Sequence, residues 1–174
     1  MKKFQDKVVW ITGSSSGIGE ATAYEFAKEG AKLILTALEA DLLQQVCKKC
    51  EELGSPKAEA LPFDLSQKDQ VAELAEKAWN VFGYIDVFYN NAGISQRSKT
   101  IDTEMKVINK VMDINYFAPV IMTKVILPKM VERGGGQLVV TTSINGRFGF
   151  PLRCAYSSSK HALYGFFETI QAEY

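Results

Sequence analysis

Tyr156 and Lys160 stand four residues apart in Tyr156-Ser157-Ser158-Ser159-Lys160. On a helix that spacing puts both side chains on one face. A phenol there can donate a proton to a carbonyl oxygen and take one back from an alcohol. A cation one turn away stabilises the phenolate and draws its pKa down from about 10 toward neutral pH. Ser143, at the end of an apolar run, carries a hydroxyl that can hydrogen-bond the same carbonyl oxygen. Asn115 lies among Met112, Ile114, Tyr116 and Phe117, where a polar residue is locally unfavourable in a helix. It is either a surface residue or the holder of a water in a proton relay. His161, the only histidine, falls off the Tyr–Lys face and reads as packing or surface. The pair alone is common helix spacing, so its meaning depends on what surrounds it.

A second stretch supplies a partner for that chemistry. Thr12-Gly13-Ser14-Ser15-Ser16-Gly17-Ile18-Gly19 joins an apolar run to an amphipathic one. Glycines allow a tight turn and a close approach to a pyrophosphate, and the N-terminus of the following helix offers unpaired N–H groups to phosphate. Asp64-Leu65 follows a third apolar run. Its carboxylate either accepts from an adenine amino group or makes an Asx turn. Asn90-Asn91-Ala92-Gly93 ends a fourth, where small residues admit a flat cofactor and turn formers equally make a loop. A ribose-reading residue is expected near Thr36-Ala37-Leu38-Glu39: an acid for NAD, an arginine for NADP. The usual spot holds neither. Glu39, just beyond it, reaches the ribose or serves as a helix N-terminal charge.

The elements that must carry these residues alternate. Apolar β-branched runs at 7–12, 32–36, 58–63, 85–89 and 137–142 read as strands. Helical periodicity marks 18–29, 41–53, 69–82, 103–131 with a break near Asp113, and 154 onward. Strands separated by long helices argue for parallel β-α units with right-handed crossovers. Their continuous apolar character argues for a sheet covered on both faces. The expectation is a Rossmann-like, doubly wound parallel sheet in three α/β/α layers, one domain over residues 1–174. A sixth strand is expected in such a sheet, so the domain reads as C-terminally incomplete, with the fifth strand a bare edge.

Composition excludes some classes. Twenty basic residues balance twenty acidic ones, leaving no electrostatic footprint for nucleic acid or anionic membrane. Cys47, Cys50 and Cys154 cannot all pair, and zinc would need more ligands than one histidine adds. They read as reduced thiols of a cytoplasmic protein. No apolar run is expected to reach membrane-spanning length.

Thr12-Gly13-x3-Gly17-x-Gly19, Asn90-Asn91-Ala92-Gly93, Asn115, Ser143 and Tyr156-x3-Lys160 together resemble, in order and spacing, the classical short-chain dehydrogenase/reductases. The resemblance runs through the whole chain. Ile94-Ser95-Gln96-Arg97-Ser98 and Gly149-Phe150-Pro151-Leu152-Arg153 add a weaker similarity to the dehydrogenase/reductase member-7 branch. It implies Tyr156 as general acid and base, Lys160 lowering its pKa and binding nicotinamide ribose, Ser143 orienting the carbonyl, and Asn115 positioning a relay water. Gly13, Ser15, Gly17, Ile18 and Gly19 would wrap the pyrophosphate. Asp64, Leu65, Asn91, Ala92 and Gly93 would flank the adenine, ribose and nicotinamide. The branch implies NADP and a steroid- or retinoid-like carbonyl or alcohol. NAD stays open because no arginine follows the second strand. The family implies a homodimer or homotetramer through the long helix and the Tyr156 helix. The competing expectations are a non-catalytic nucleotide- or partner-binding fragment, and an extended-branch epimerase or dehydratase. The last is disfavoured because its usual G-x-x-G-x-x-G is absent.

Overall fold

The computed structural model describes residues 2–174. Chain order runs β1 (Val8–Thr12), α1 (Gly17–Lys28), β2 (Lys32–Thr36), α2 (Ala40–Leu53), β3 (Ala58–Ala60) and α3 (Val71–Phe82). It continues through β4 (Val87–Asn90), α4 (Met105–Met112), α5 (Ala118–Glu132), β5 (Gln137–Val140) and α6 (Cys154–Glu173). The strands pair in parallel in the order β3-β2-β1-β4-β5. This is the expected Rossmann-like sheet. Strand order reverses beside β1, and the carboxyl ends of β1 and β4 are therefore where a ligand crevice opens.

The apolar runs are explained by what lies on each face. Side chains alternate along a strand, so Val8 and Trp10 join Leu74, Ala78, Met122 and Ile126 of α3 and α5. Val9 and Ile11 join Ala23, Ala27, Val46 and Cys50 of α1 and α2. Trp10 stacks on Phe88 of β4 with centroids 4.2 Å apart, and its Nε1 donates to Thr36 Oγ1 at 3.0 Å. Truncating a buried aromatic of this kind costs about 3–5 kcal/mol. At the opposite end of the sheet from the crevice, Asp86 accepts from Val8 N–H at 2.9 Å and from Arg133 at 3.0 Å. Burial pushes that carboxyl up, but Val8, Arg133 and Lys7 outweigh it and hold it below its usual range.

Three expectations shift. The third strand pairs regularly only over Ala58–Ala60, although Leu61 and Phe63 N–H still bond Leu35 and Ala37 carbonyls. The helix expected from 69 opens as a 3-10 turn, Lys68–Gln70, before α3 begins. The break expected near Asp113 is instead a π-helical turn, Asp113–Phe117, that joins α4 to α5 without interruption. Such a turn accommodates an extra residue and re-aims side chains. Met105–Glu132 is consequently one helical stretch of 28 residues with a mean hydropathy window of 1.2. By length and composition that is enough to cross a membrane, contrary to expectation. In this fold Ala118, Met122, Ile126 and Met130 direct its apolar face into the core.

Candidate active site

The glycine turn after β1 is shaped by neighbours as much as by any ligand. Gly13 has φ 67, and a Cβ on it would sit 2.7 Å from Ala92 Cα. A Cβ on Gly19 would sit 2.1 Å from Gly13 O and 2.7 Å from Asn91 Nδ2. These two glycines let α1 and the β4 loop close on β1. Gly17 and Gly19 do not line the crevice; Gly13, Ser15, Ser16 and Ile18 do. Ser16, the N-cap of α1, makes no side-chain cap bond, so the first N–H groups of α1 are left for another acceptor.

Asn91 ties three strand ends together. Its Nδ2 donates to Thr12 O and Gly13 O, both at 3.1 Å. Its Oδ1 accepts from Thr141 Oγ1 at 3.1 Å. Thr12 Oγ1 in turn accepts from Asn91 N–H and Ala92 N–H, each at 3.2 Å. Thr141 then reaches the chemistry, because its carbonyl accepts from Lys160 Nζ at 2.7 Å.

Lys160 is 3% exposed. Burial lowers its pKa from 10.5 to about 8, which still leaves it a cation at neutral pH. Its Nζ lies 5.8 Å from the centroid of the Tyr156 ring, on the shared helix face the spacing predicts. Gly93 packs beside both groups that flank the turn: a Cβ there would lie 3.6 Å from Lys160 Nζ and 3.4 Å from Asn115 Oδ1. Tyr156 and Lys160 line the same crevice as the glycine turn, with Asp64, Leu65, Asn91, Ala92 and Gly93 between them. The crevice has a volume of about 510 Å³, within the range of small-molecule sites.

Asn115 and Ser143 sit apart from that lining. Asn115 is fully buried, not on the surface. Its Nδ2 donates to Ile94 O at 2.8 Å and Ser159 Oγ at 3.0 Å, and its Oδ1 accepts from Ile94 N–H at 2.8 Å. Both amide protons are thus engaged in pinning the β4 loop to α6. Ser143 lies outside the crevice lining and caps a 3-10 turn, Ile144–Gly146, accepting from Asn145 N–H at 3.2 Å. That bond uses an acceptor lone pair and leaves the hydroxyl proton to donate. Asp64 accepts from Ser66 N–H at 2.9 Å, the Asx-turn geometry. That N–H, helped by the Ser66 hydroxyl, holds the carboxyl below its ordinary range. His161 is exposed, with Nδ1 2.8 Å from Ser157 O.

Glu39 Oε2 accepts from Ser15 Oγ at 3.0 Å, so the acid does stand at the crevice. Thr12, the first residue of the glycine motif, is also a structural member of the site, as are Thr141 and Ser159, to which motif spacing assigns no role. Their clue was position: each follows or faces a strand end. Among the described residues no His, Cys, Asp and Glu cluster could hold a metal.

Known proteins are similar to this chain in sequence and fold. The family model described as short chain dehydrogenase matches residues 7–174. "Dehydrogenase/reductase SDR family member 7" of Homo sapiens is 42% identical over 171 residues, 97% of this chain and 50% of the relative. Member 7B of Mus musculus is 42% identical, covering 97% of this chain and 53% of the relative. The chain thus spans about half the length of these curated relatives. The crystal structure of levodione reductase superposes with a TM-score of 0.93 at 33% identity, over 99% of this chain and 67% of that one. An NADH-dependent reductase complexed with NAD gives 0.87 at 29%, over 97% and 73%. The chain belongs to the short-chain dehydrogenase family.

Proposed function

We propose that this chain binds a nicotinamide dinucleotide and carries the proton-transfer residues of an oxidoreductase acting on a carbonyl or secondary alcohol. One observation carries the reading: a single crevice is lined by the glycine turn at one end and by Tyr156 and Lys160 at the other. The residues fit the cofactor. The uncapped N-terminus of α1 suits its pyrophosphate, and the open space against Gly93 and Ala92 suits a flat ring. When bound, the nicotinamide supplies or accepts the hydride.

The chain's own groups do the rest. Tyr156 gives its phenolic proton to the carbonyl oxygen in reduction and recovers it in oxidation. Lys160 holds a positive charge beside it. Ser143 donates to the same oxygen. Asn115 keeps the β4 loop and α6 in register, and by family resemblance it positions a relay water. Acid catalysis of this kind contributes about 10²–10⁴-fold. Tyr156→Phe should remove that factor in a carbonyl assay with levodione as the trial substrate, and should leave cofactor fluorescence intact. Retained turnover in that variant would overturn the role of Tyr156.

We infer that NADH is preferred to NADPH, against what the member-7 branch suggests. Glu39 stands beside Ser15, and among the described residues Lys160 is the only Lys or Arg lining the crevice. A 2′-phosphate would meet a carboxylate and no arginine. Side-by-side titration should give at least about tenfold tighter NADH binding, and Glu39→Arg should narrow or reverse the ratio. The steroid- or retinoid-like substrate and a homodimer or homotetramer through the Met105–Glu132 helix and α6 are carried by family resemblance. A non-catalytic nucleotide-binding module is the second reading, favoured by Ser143 lying outside the crevice lining. It predicts NADH binding with no turnover of any carbonyl.

A further inference from the structure

The turn that carries Tyr156 is held from outside its own helix. α6 opens at Cys154, and Arg153 at its N-cap makes no side-chain cap bond. The first N–H groups of a helix have no partner within it. The N–H of Tyr156 finds one on another element, Gln96 Oε1 at 3.3 Å. The other end of the same amide, Gln96 Nε2, donates to Cys154 Sγ at 3.4 Å. Gln96 is 8% exposed and is itself pinned. Arg153 Nη1 donates to the Gln96 carbonyl at 2.6 Å and to Ser95 Oγ at 2.8 Å. Leu152 beside it adopts φ 65, uncommon for a residue with a Cβ. Its carbonyl accepts from Ser98 N–H at 3.3 Å.

The loop that grips α6 is also a wall of the crevice, through Ile94 and Ser95. Asn115 holds Ile94 from the other side. We propose that Gln96 is a positioning residue for Tyr156. It supplies from the crevice wall the acceptor that a Ser or Asp N-cap supplies from within a helix, and so sets the phenol against Ile94 and Ser95. The proposal rests on the reading of Tyr156 as the proton donor.

The test uses the full chain labelled with ¹⁵N and with ¹³Cζ-tyrosine, the Tyr156 ring signal being assigned by Tyr156→Phe. Gln96→Ala should speed exchange of the Tyr156 amide about tenfold. It should also shift the Tyr156 ¹³Cζ resonance, while the Trp10 and Phe88 amides exchange as before. Gln96→Glu keeps the accepting oxygen at the same reach and should restore amide protection; Gln96→Asn, one carbon shorter, should not. With levodione and NADH as probes, kcat of Gln96→Ala should fall about tenfold with KM for NADH unchanged. Unchanged exchange and an unshifted Tyr156 ¹³Cζ signal in Gln96→Ala would overturn the proposal, as would a Gln96→Glu chain that stays unprotected. A wild-type chain without turnover would remove the hydride-transfer reading alone, and the amide and ring signals would still decide the role of Gln96.

Discussion

β1 and β5 are both short apolar strands, and the carboxyl end of each reaches the crevice, through Gly13 after β1 and Thr141 after β5. Their surroundings differ. Val8, Val9, Trp10 and Ile11 are fully buried between two helical layers, whereas Gln137 is exposed and Leu138–Val140 are only partly covered at the sheet edge. The glycine turn after β1 is fixed by backbone pressing on backbone, at Gly13 against Ala92 and Gly19 against Gly13. The end of β5 is fixed by polar contacts: Lys160 on the Thr141 carbonyl, Thr141 on Asn91, and Thr142 Oγ1 donating to Tyr164 OH at 2.9 Å. A wall made by steric contact has one position. A wall made by hydrogen bonds is graded and responds to charge and pH. The nucleotide end of the crevice should therefore fail abruptly when altered, and the proton-transfer end by degrees.

Gly19→Val puts the largest strain on that contrast. The new Cβ has no room against Gly13 O, and backbone must move. The expected cost is about 3 kcal/mol or more, with NADH binding lost in a fluorescence titration. Gly17→Ala makes the matched control. Its φ of 59 is unfavourable for alanine, but nothing lies within 4 Å of the new Cβ. About 1 kcal/mol is expected there. Equal melting temperatures for the two variants would show that steric contact does not set the nucleotide end.

Lys160 tests the other end through pH. Burial holds its folded pKa at about 8, below the ordinary lysine value of 10.5. Below pH 8 both states hold the proton, and the folded state bears the full cost of burying a cation. Between pH 8 and 10.5 the unfolded chain is protonated and the folded one is not, so stability rises with pH through that window. The gross contribution is about 3 kcal/mol. Burial raises Cys47 to about 11 and Cys50 to about 12, and these thiols act in the opposite sense above about pH 9. The comparison is therefore wild type against Lys160→Met, in which the cysteines cancel. Denaturant melts at pH 7 and pH 10 should show the difference between the two proteins narrow by ~1–3 kcal/mol. A pH-independent difference would place Lys160 in a more hydrated setting than its burial indicates.

Much of this was legible beforehand, for stated physical reasons. That helices cover both faces of the sheet could be read, because a continuous apolar run such as Val8–Ile11 is tolerated only there. The Tyr156–Lys160 face followed from helix periodicity alone. Legibility failed where a residue's partner is remote in sequence. Asn115 looked equally like a surface residue or a water holder, because its partners Ile94 and Ser159 come from other elements. The π turn at Asp113–Phe117 looked like a break, since spacing cannot separate an interruption from one extra residue. Gln96 sat inside a recognised local motif, yet nothing local shows that its oxygen meets the Tyr156 N–H. That β5 lies at an edge followed from the count of strands and is what the sheet order shows, although nothing in the run Gln137–Val140 itself marks it.

Equal chemistry placed in both strands gives the finest discrimination. Val9 and Val139 pack on the same layer of the core, one fully buried and one only partly. Val→Thr preserves shape and exchanges a methyl for a hydroxyl. At Val9 that hydroxyl has no water and must desolvate, which costs about 1–3 kcal/mol. At Val139 water can still reach the group, and the change should stay within about 0.5 kcal/mol. Chemical denaturation of the two variants measures both on one scale. A Val139→Thr chain as damaged as Val9→Thr would mean that β5 is covered in solution on the face that the fold leaves half open. The edge would then be as rigid as the centre, and the graded response expected of Lys160 would have to come from the lysine's own environment alone.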